Sequence, residues 1–373
     1  MSKILIDATS LIRKATGIEY YTLQIIKNLI KYDNENKYII LFRTSVHKEL
    51  VPFKDKAKFI VCSNNSQVFC EQLWIPYIIL KENPDLVHFP AFPPGLLVNH
   101  KNIVFTLHDA TMWKYKETTS WKNKLYMKPL SEIAMRKSKK VFTVSKDSKN
   151  TIEATFKSAK EKIVVTSESI SEKYQRLDRV NEIEEVKKRF NTGDVYLLSV
   201  CSLEPRKNIP RLLEAFSKIS NIEEYKELKL ILVGRKAWGN NIINTKIEQL
   251  NLEKKVVITD YVSDEDLLYL YNGAYCFIYP SLYEGFGLPV LEAMACGIPV
   301  VTSNNSSIPE VAGDAAILID PTNEDEIATG ICKVLGDTVL RENMISSGYS
   351  RVNEFSWEKI IKNMLSQYKD TIK

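Results

Sequence analysis

Short apolar runs alternate with amphipathic stretches along almost the whole chain. "KILIDA" (3–8), "KYIILF" (37–42), "KFIVCS" (58–63), "DLVHFP" (85–90), "NIVFTLHD" (102–109) and "KVFTVS" (140–145) are nearly continuous apolar segments. Strands covered on both faces read this way, so they predict a parallel sheet. Between them "GIEYYTLQIIKNLIKY" (17–32) and residues 71–82, 121–138 and 147–157 repeat at helical period. The alternation resumes with "VYLLSV", "LKLILVG", "KVVITDY", "CFIYPS" and "IPVVTS" as strands. "IPRLLEAFSKI", "NTKIEQLN", "SDEDLLYLYNGA" and "PVLEAMACG" are the helices among these. The pattern predicts an α/β chain with two Rossmann-like, doubly wound domains. The first covers about 1–175 and the second 190–354. A charged linker lies near 170–192, and a final helix covers about 355–373. A ligand is expected at the carboxyl ends of the strands.

Two loops carry the chemistry. In "VCSLEPRKNIPRLLEAF" (200–216) a strand ends at Val200, Arg206 and Lys207 follow, and Asn208 is placed to cap the next helix. Two cations at a helix N-terminus suit a diphosphate. In "YEGFGLPVLEAMACGIPVV" (283–301) Gly285 and Gly287 let the backbone approach a ligand, Pro289 opens a helix and Gly297 closes it. Glu284 lies in this loop and Glu292 in the first helical turn. Carboxylates are poor phosphate partners but good acceptors for sugar hydroxyls. A nucleotide sugar has a polyol on either side of a diphosphate, which matches that alternation.

These stretches resemble the retaining nucleotide-sugar glycosyltransferases of family 4 (group 1), which have the GT-B fold of two Rossmann-like domains facing across a cleft. "EGFGLPVLE" looks like the family's paired-glutamate signature and "EPRKN" like its diphosphate loop. "LVGRKAWG", "ACGIPVVTSNNSSIPEVAGDAAILIDP", "GIEYYTLQII", "LVHFP", "TLHD" and "VFTVSKDS" fall in the matching order. The resemblance implies that the second domain holds the donor, the first holds the acceptor, and the final helix packs back on the first. It implies catalytic roles for Arg206 and Lys207 on the diphosphate, Glu284 on the donor sugar and His108 reaching that sugar. Glu292 would accept the ribose hydroxyls. Gly285, Phe286, Gly287 and Leu288 would line sugar and phosphate, Val262 would lie near the base, and Gly234 and Asp109 would belong to the same site, Asp109 with orienting His108 as its alternative role. Gly17 would let the first loop approach the diphosphate, although Thr16 stands where relatives pair two glycines. "TSESIS" (166–171) replaces a turn with Asn-Gly character, and its role is unassigned. The implied activity is transfer of a hexose, with mannose from GDP-mannose the first choice, to a glycan or polyprenyl-linked glycan in surface polysaccharide synthesis. A UDP-sugar hexosyltransferase, a nucleotide-sugar epimerase of the same fold and a non-catalytic basic scaffold are the alternatives.

Composition narrows this further. The 373 residues are 45% hydrophobic with net charge +5. Six scattered cysteines form no CxxC pair and read as reduced thiols, so the expected location is cytoplasmic. No apolar run reaches membrane-spanning length. "SDEDL" (263–267) contains a DxD, but Ser263 followed by acidic residues reads as a helix cap, so no metal cofactor is expected. Residues 112–162 hold 14 Lys/Arg against 5 Asp/Glu, with Trp113, Tyr115, Trp121, Tyr126 and Met127 interleaved. That stretch is the candidate for peripheral contact with an anionic membrane. The intact glycine-bearing loops argue against a nucleic-acid partner.

Overall fold

The computed structural model describes the chain except residues 13–16, 115–120 and 236–239, and except the side chains of 114, 121–126, 240 and 241. Two compact units result. The first comprises Met1–Glu168 with Ser356–Lys373, the second Ser169–Phe355.

The first unit is built on a parallel seven-stranded sheet. Its strands are β1 (Lys3–Asp7), β2 (Lys37–Phe42), β3 (Ala57–Val61), β4 (Leu86–Phe89), β5 (Ile103–Thr106), β6 (Lys140–Thr143) and β7 (Ile163–Val165), in the order β3-β2-β1-β4-β5-β6-β7. The second is built on β8 (Tyr196–Val200), β9 (Lys229–Val233), β10 (Val256–Thr259), β11 (Cys276–Tyr279), β12 (Val300–Ser303) and β13 (Ala316–Ile319), in the order β10-β9-β8-β11-β12-β13. Both sheets reverse their winding once, at β1/β4 and at β8/β11. The apolar runs of the inner strands are buried on both faces, as the continuous pattern predicted, whereas those of the edge strands β3 and β10 are only partly buried. The edge strands β7 and β13 were not among the expected strands.

The expected linker differs. Residues 180–189 form the helix Val180–Arg189, which belongs to the second unit. Val186 is buried, Arg179 donates to the Tyr269 hydroxyl and Arg189 pairs with Asp266. The unit boundary therefore falls at 168/169, earlier than the residue 175 expected, because an amphipathic helix found a partner surface that its charge pattern concealed.

The final helix Trp357–Ile372 is part of the first unit. It buries Trp357, Ile360, Ile361, Met364 and Tyr368. The Tyr368 hydroxyl lies 2.7 Å from Nδ1 of fully buried His88 on β4, whose Nε2 lies 2.9 Å from the Thr106 hydroxyl. Burial holds the His88 imidazole neutral, with its pKa lowered to about 3.

Candidate active site

At β8/β11 the reversal makes neighbours of loops that are about seventy residues apart in sequence. β8 pairs with β11, so the loop after Val200 and the loop after Tyr279 leave the same sheet edge side by side. The first carries Arg206 and Lys207 in a 3-10 turn, Pro205–Lys207. The second carries Glu284.

The side chains form a closed set. Lys207 Nζ donates to Glu284 Oε1 at 2.6 Å and to the Tyr279 hydroxyl at 2.6 Å. The Tyr279 hydroxyl donates to Glu284 Oε1 at 3.0 Å. Arg206 Nη1 donates to Glu284 Oε2 at 2.8 Å and to the Tyr283 carbonyl at 3.0 Å. Lys207 and Glu284 are each only 7% exposed. Burial alone would raise the Glu284 carboxyl, but the Lys207 and Arg206 charges outweigh it and hold its pKa down to about 2. Burial would lower the Arg206 guanidinium, and Glu284, Tyr279 and Glu204 reverse that. Burial first, then the Glu284 charge, keeps the Tyr279 phenol protonated far above neutral pH.

Asn208 was expected to cap the helix Ile209–Ser220. It stands at the cap position in a left-handed conformation, φ 62°, but its side chain makes no cap bond. Its amide donates instead to the carbonyls of Pro280 at 3.1 Å and Pro321 at 2.6 Å. One side chain thus ties the loops that follow β8, β11 and β13.

Gly287 precedes the helix Leu288–Ala295 with φ 114°, a conformation open to glycine. Gly297 follows that helix with φ 72°. Ser307 Oγ donates to the carbonyls of Glu284 and Phe286, and Ser306 Oγ accepts the Glu284 amide, so the loop is braced from the turn after β12. Glu292 is the fifth helical residue, one turn deeper than expected. The Tyr271 hydroxyl donates to its Oε2 at 3.0 Å. Burial raises the Glu292 carboxyl to about 7, against the Tyr271 and Tyr174 hydroxyls, which lower it.

Other expected residues scatter by role. A Cβ on Gly234 would lie 1.7 Å from the Cys201 carbonyl oxygen, so close approach of the loops after β8 and β9 already demands that glycine. Among the described residues a Cβ on Gly17 would meet nothing within 4 Å. Val262 is buried just before the helix Asp264–Gly273. There Ser263 Oγ accepts the Asp266 amide at 3.0 Å, and Asp264 and Asp266 pair with Lys173 and Arg189.

In the first unit His108 follows β5. Its Nδ1 lies 3.3 Å from Glu168 Oε1 and its Nε2 lies 3.1 Å from the Pro90 carbonyl oxygen. Asp109 does not orient it: Asp109 Oδ1 accepts the Thr111 amide at 2.8 Å at the start of the helix Thr111–Lys114. The orienting carboxylate is Glu168, from the unassigned "TSESIS" turn. Glu168, Tyr279, Tyr271 and Ser307 were all missed. A charge amid uncharged residues after a strand was the available signal for Glu168; the tyrosines read as ordinary core.

The Tyr279 hydroxyl meets both Lys207 and Glu284. Tyr279→Phe is expected to raise donor KM severalfold and leave the fold intact, because it removes one partner of each while their mutual ion pair stays. Steady-state kinetics on the variant check this. An unchanged KM would deny Tyr279 a positioning role.

Two doubly wound units, the second presenting paired cations and a braced glycine loop at its switch point, define a glycosyltransferase. The profile described as "Glycosyl transferases group 1" matches residues 180–351, and that of "Glycosyltransferase Family 4" matches 15–171. The O-antigen chain mannosyltransferase B of Escherichia coli is 30% identical over 370 residues, covering 95% of this chain and 96% of that one. The chain belongs to the glycosyl transferases group 1 family. Among solved structures, sucrose-phosphate synthase from Thermosynechococcus elongatus superposes with a TM-score of 0.77 at 18% identity, covering 99% of each chain. Anabaena HepE in complex with UDP and glucose gives 0.74 at 17%, covering 99% of this chain and all of that one. These likenesses establish the GT-B fold.

Proposed function

We propose that the protein transfers a mannosyl residue from GDP-mannose to a glycan or polyprenyl-linked glycan during surface polysaccharide synthesis, with retention of anomeric configuration. The observation that carries the reading is the Arg206–Glu284–Lys207 set at the β8/β11 switch point. Two cations fixed by one carboxylate are prepared to take up the charge that develops on a leaving diphosphate. The leaving phosphate takes the acceptor's proton, and the reaction then needs no side-chain base. With two cations at the leaving group, catalysis proceeds without a metal. The name of the E. coli relative supports mannose. A UDP-hexose donor is the second reading, because a structural neighbour holds UDP and glucose.

Donor turnover is measured across GDP-mannose, UDP-glucose and UDP-galactose, with and without polyprenyl-linked acceptors and with chelator present. Nuclear magnetic resonance of the product reads its anomeric configuration. Absence of turnover with every nucleotide sugar would defeat the reading.

Glu292 adds a pH signature. Burial raises its carboxyl to about 7, while accepting ribose hydroxyls favours the ionised form. Nucleotide affinity is therefore expected to rise about tenfold between about pH 6 and about pH 8, with release of a proton. Glu292→Gln should bind more weakly and lose that slope relative to the wild type. Titration calorimetry in buffers of different ionisation enthalpy measures both.

On the membrane, basic residues 112–162 are partly committed inside the unit. Lys137 donates to the Leu96 and Val98 carbonyls, Lys139 to that of Thr371, and Lys162 to those of Met135, Arg136 and Ser138. Trp113 packs edge-on against Phe156 at 4.8 Å. Tyr115 and the Trp121 and Tyr126 side chains lie outside the described residues. Among the described residues no helix is long and apolar enough to cross a membrane. We place the protein at the cytoplasmic face of the plasma membrane as a peripheral enzyme.

A further inference from the structure

Residues 67–82 form one continuous helical segment with an uncovered side. An α turn, Gln67–Phe69, widens into a π turn, Cys70–Trp74, and continues as the α-helix Ile75–Glu82. Its inner face is Cys70, Ile75, Ile78 and Ile79, buried in the core of the first unit. Its outer face carries Phe69, Leu73, Tyr77 and Leu80, spaced four, four and three residues apart. That spacing sets them along one line. They are open to solvent: Leu73 is 54% exposed, Tyr77 57% and Leu80 79%.

The loop after β4 widens this stripe. The Gly95 backbone lies so close to the segment that a Cβ there would sit 2.1 Å from the Glu71 carbonyl oxygen. The Leu96 amide donates to Gln72 Oε1 at 2.7 Å. Leu96 and Leu97, both exposed, therefore stand beside the first turns of the stripe. Single exposed apolar side chains are ordinary, whereas six gathered on one segment and its adjoining loop mark an interaction surface.

Two observations select the occupant. Lys137 Nζ donates to the Leu96 carbonyl at 2.6 Å and the Val98 carbonyl at 2.9 Å. It ends the helix Trp121–Lys137, whose sequence has Lys122, Lys124, Lys128, Arg136 and Lys137 against Glu132 alone. That helix, cationic in sequence, thus ends against the leucine loop with Lys128, Arg136 and Lys137 exposed on it, and Lys81 stands exposed at the far end of the stripe. Apolar side chains with a tyrosine and flanking cations match the boundary of an anionic bilayer. The second observation is position. The segment begins after β3 and the leucine loop after β4, so both start from the sheet edge from which His108 follows β5.

We propose that helix 67–82, with Leu96 and Leu97, lies in the headgroup region of an anionic membrane. This rests on the acceptor reading above only in taking a lipid as the ligand, because a polyprenyl-linked glycan is confined to that surface. The basic stretch then contributes attraction, and the apolar stripe contributes insertion.

The experiment is co-sedimentation of the full chain with phosphatidylcholine vesicles, with and without about one-third phosphatidylglycerol. Wild type is expected on the anionic vesicles and to be released by salt. The double variant Leu73→Glu, Leu80→Glu is expected to lose about tenfold or more in partitioning while keeping its melting temperature and its nucleotide-sugar hydrolysis without acceptor. Leu80→Trp, which keeps the apolar character, is expected to bind as the wild type does. Binding of Leu73→Glu, Leu80→Glu at the wild-type level would overturn the proposal. So would a wild type that ignores both vesicle types, which would leave the stripe to a protein partner. A protein that binds vesicles but turns over no nucleotide sugar would defeat the functional reading and leave this one standing.

Discussion

Replacing Arg206 and Lys207 together by alanine is expected to lower kcat/KM for nucleotide-sugar turnover by about a thousandfold or more. Removing a single preorganised charge-stabilising donor typically costs about 10²–10³ in rate. Here two cations go, and Glu284 loses both ionic partners at once. The same change should also destabilise the second unit by about 3–5 kcal/mol, because a buried carboxylate is left with only the Tyr279 hydroxyl among the bonds of this set. Stability and catalysis can be separated. Adding Glu284→Gln to the double variant removes the uncompensated charge, so the melting temperature should recover while activity stays lost. Recovery of activity with stability would mean that the cations serve only the fold.

Acid titration of Glu284 is the second large effect. Its pKa of about 2 in the folded chain lies below the ordinary 4.5 of the unfolded chain. The unfolded chain therefore takes up the proton first. The stabilisation is fully present above the unfolded value and is lost as pH falls through the folded one. The gap corresponds to about 3 kcal/mol. Urea unfolding of wild type and Glu284→Gln should differ most above about pH 5 and converge toward about pH 2. A constant difference over that range would show that the carboxylate's charge is not what stabilises the loop pair. The sequence suggested that Glu284 serves sugar hydroxyls. The structure has both its oxygens engaged by cations, which gives this residue a structural duty whatever it does with the sugar.

How much was readable in advance follows from the kind of signal each feature leaves. The central strands, such as β1 and β8, were legible because burial on both faces makes continuous apolar runs. β7 and β13 are short apolar runs too, "IVV" and "AILI", but they sit at sheet edges and are partly exposed, and the expected strands did not include them. The helix Val180–Arg189 was hidden by its charge: Val186 is its one fully buried residue, and it is held largely by polar pairs to the helix Asp264–Gly273. In the site, the residues on distinctive loops were found, Arg206, Lys207, Glu284 and Glu292 among them. Those missed act across strands. Tyr279 and Tyr271 look like core aromatics in sequence, and only their hydroxyl partners distinguish them. Glu168 reaches His108 across sixty positions of chain, a distance that no local spacing encodes. Asn208 was placed correctly as the residue before the helix, but tertiary carbonyls outcompeted the local cap.

The closing helix has a consequence for how the protein is made. The first unit needs Trp357–Ile372 to cover His88, and Lys139 binds the Thr371 carbonyl at 2.9 Å. During synthesis, residues 1–168 emerge first yet cannot complete their core. The second unit, contiguous in sequence, can close before them. The order of folding on the ribosome should then run opposite to the order of translation. A nascent chain stalled short of residue 357 would hold an unfinished first unit with an apolar flank in need of a chaperone.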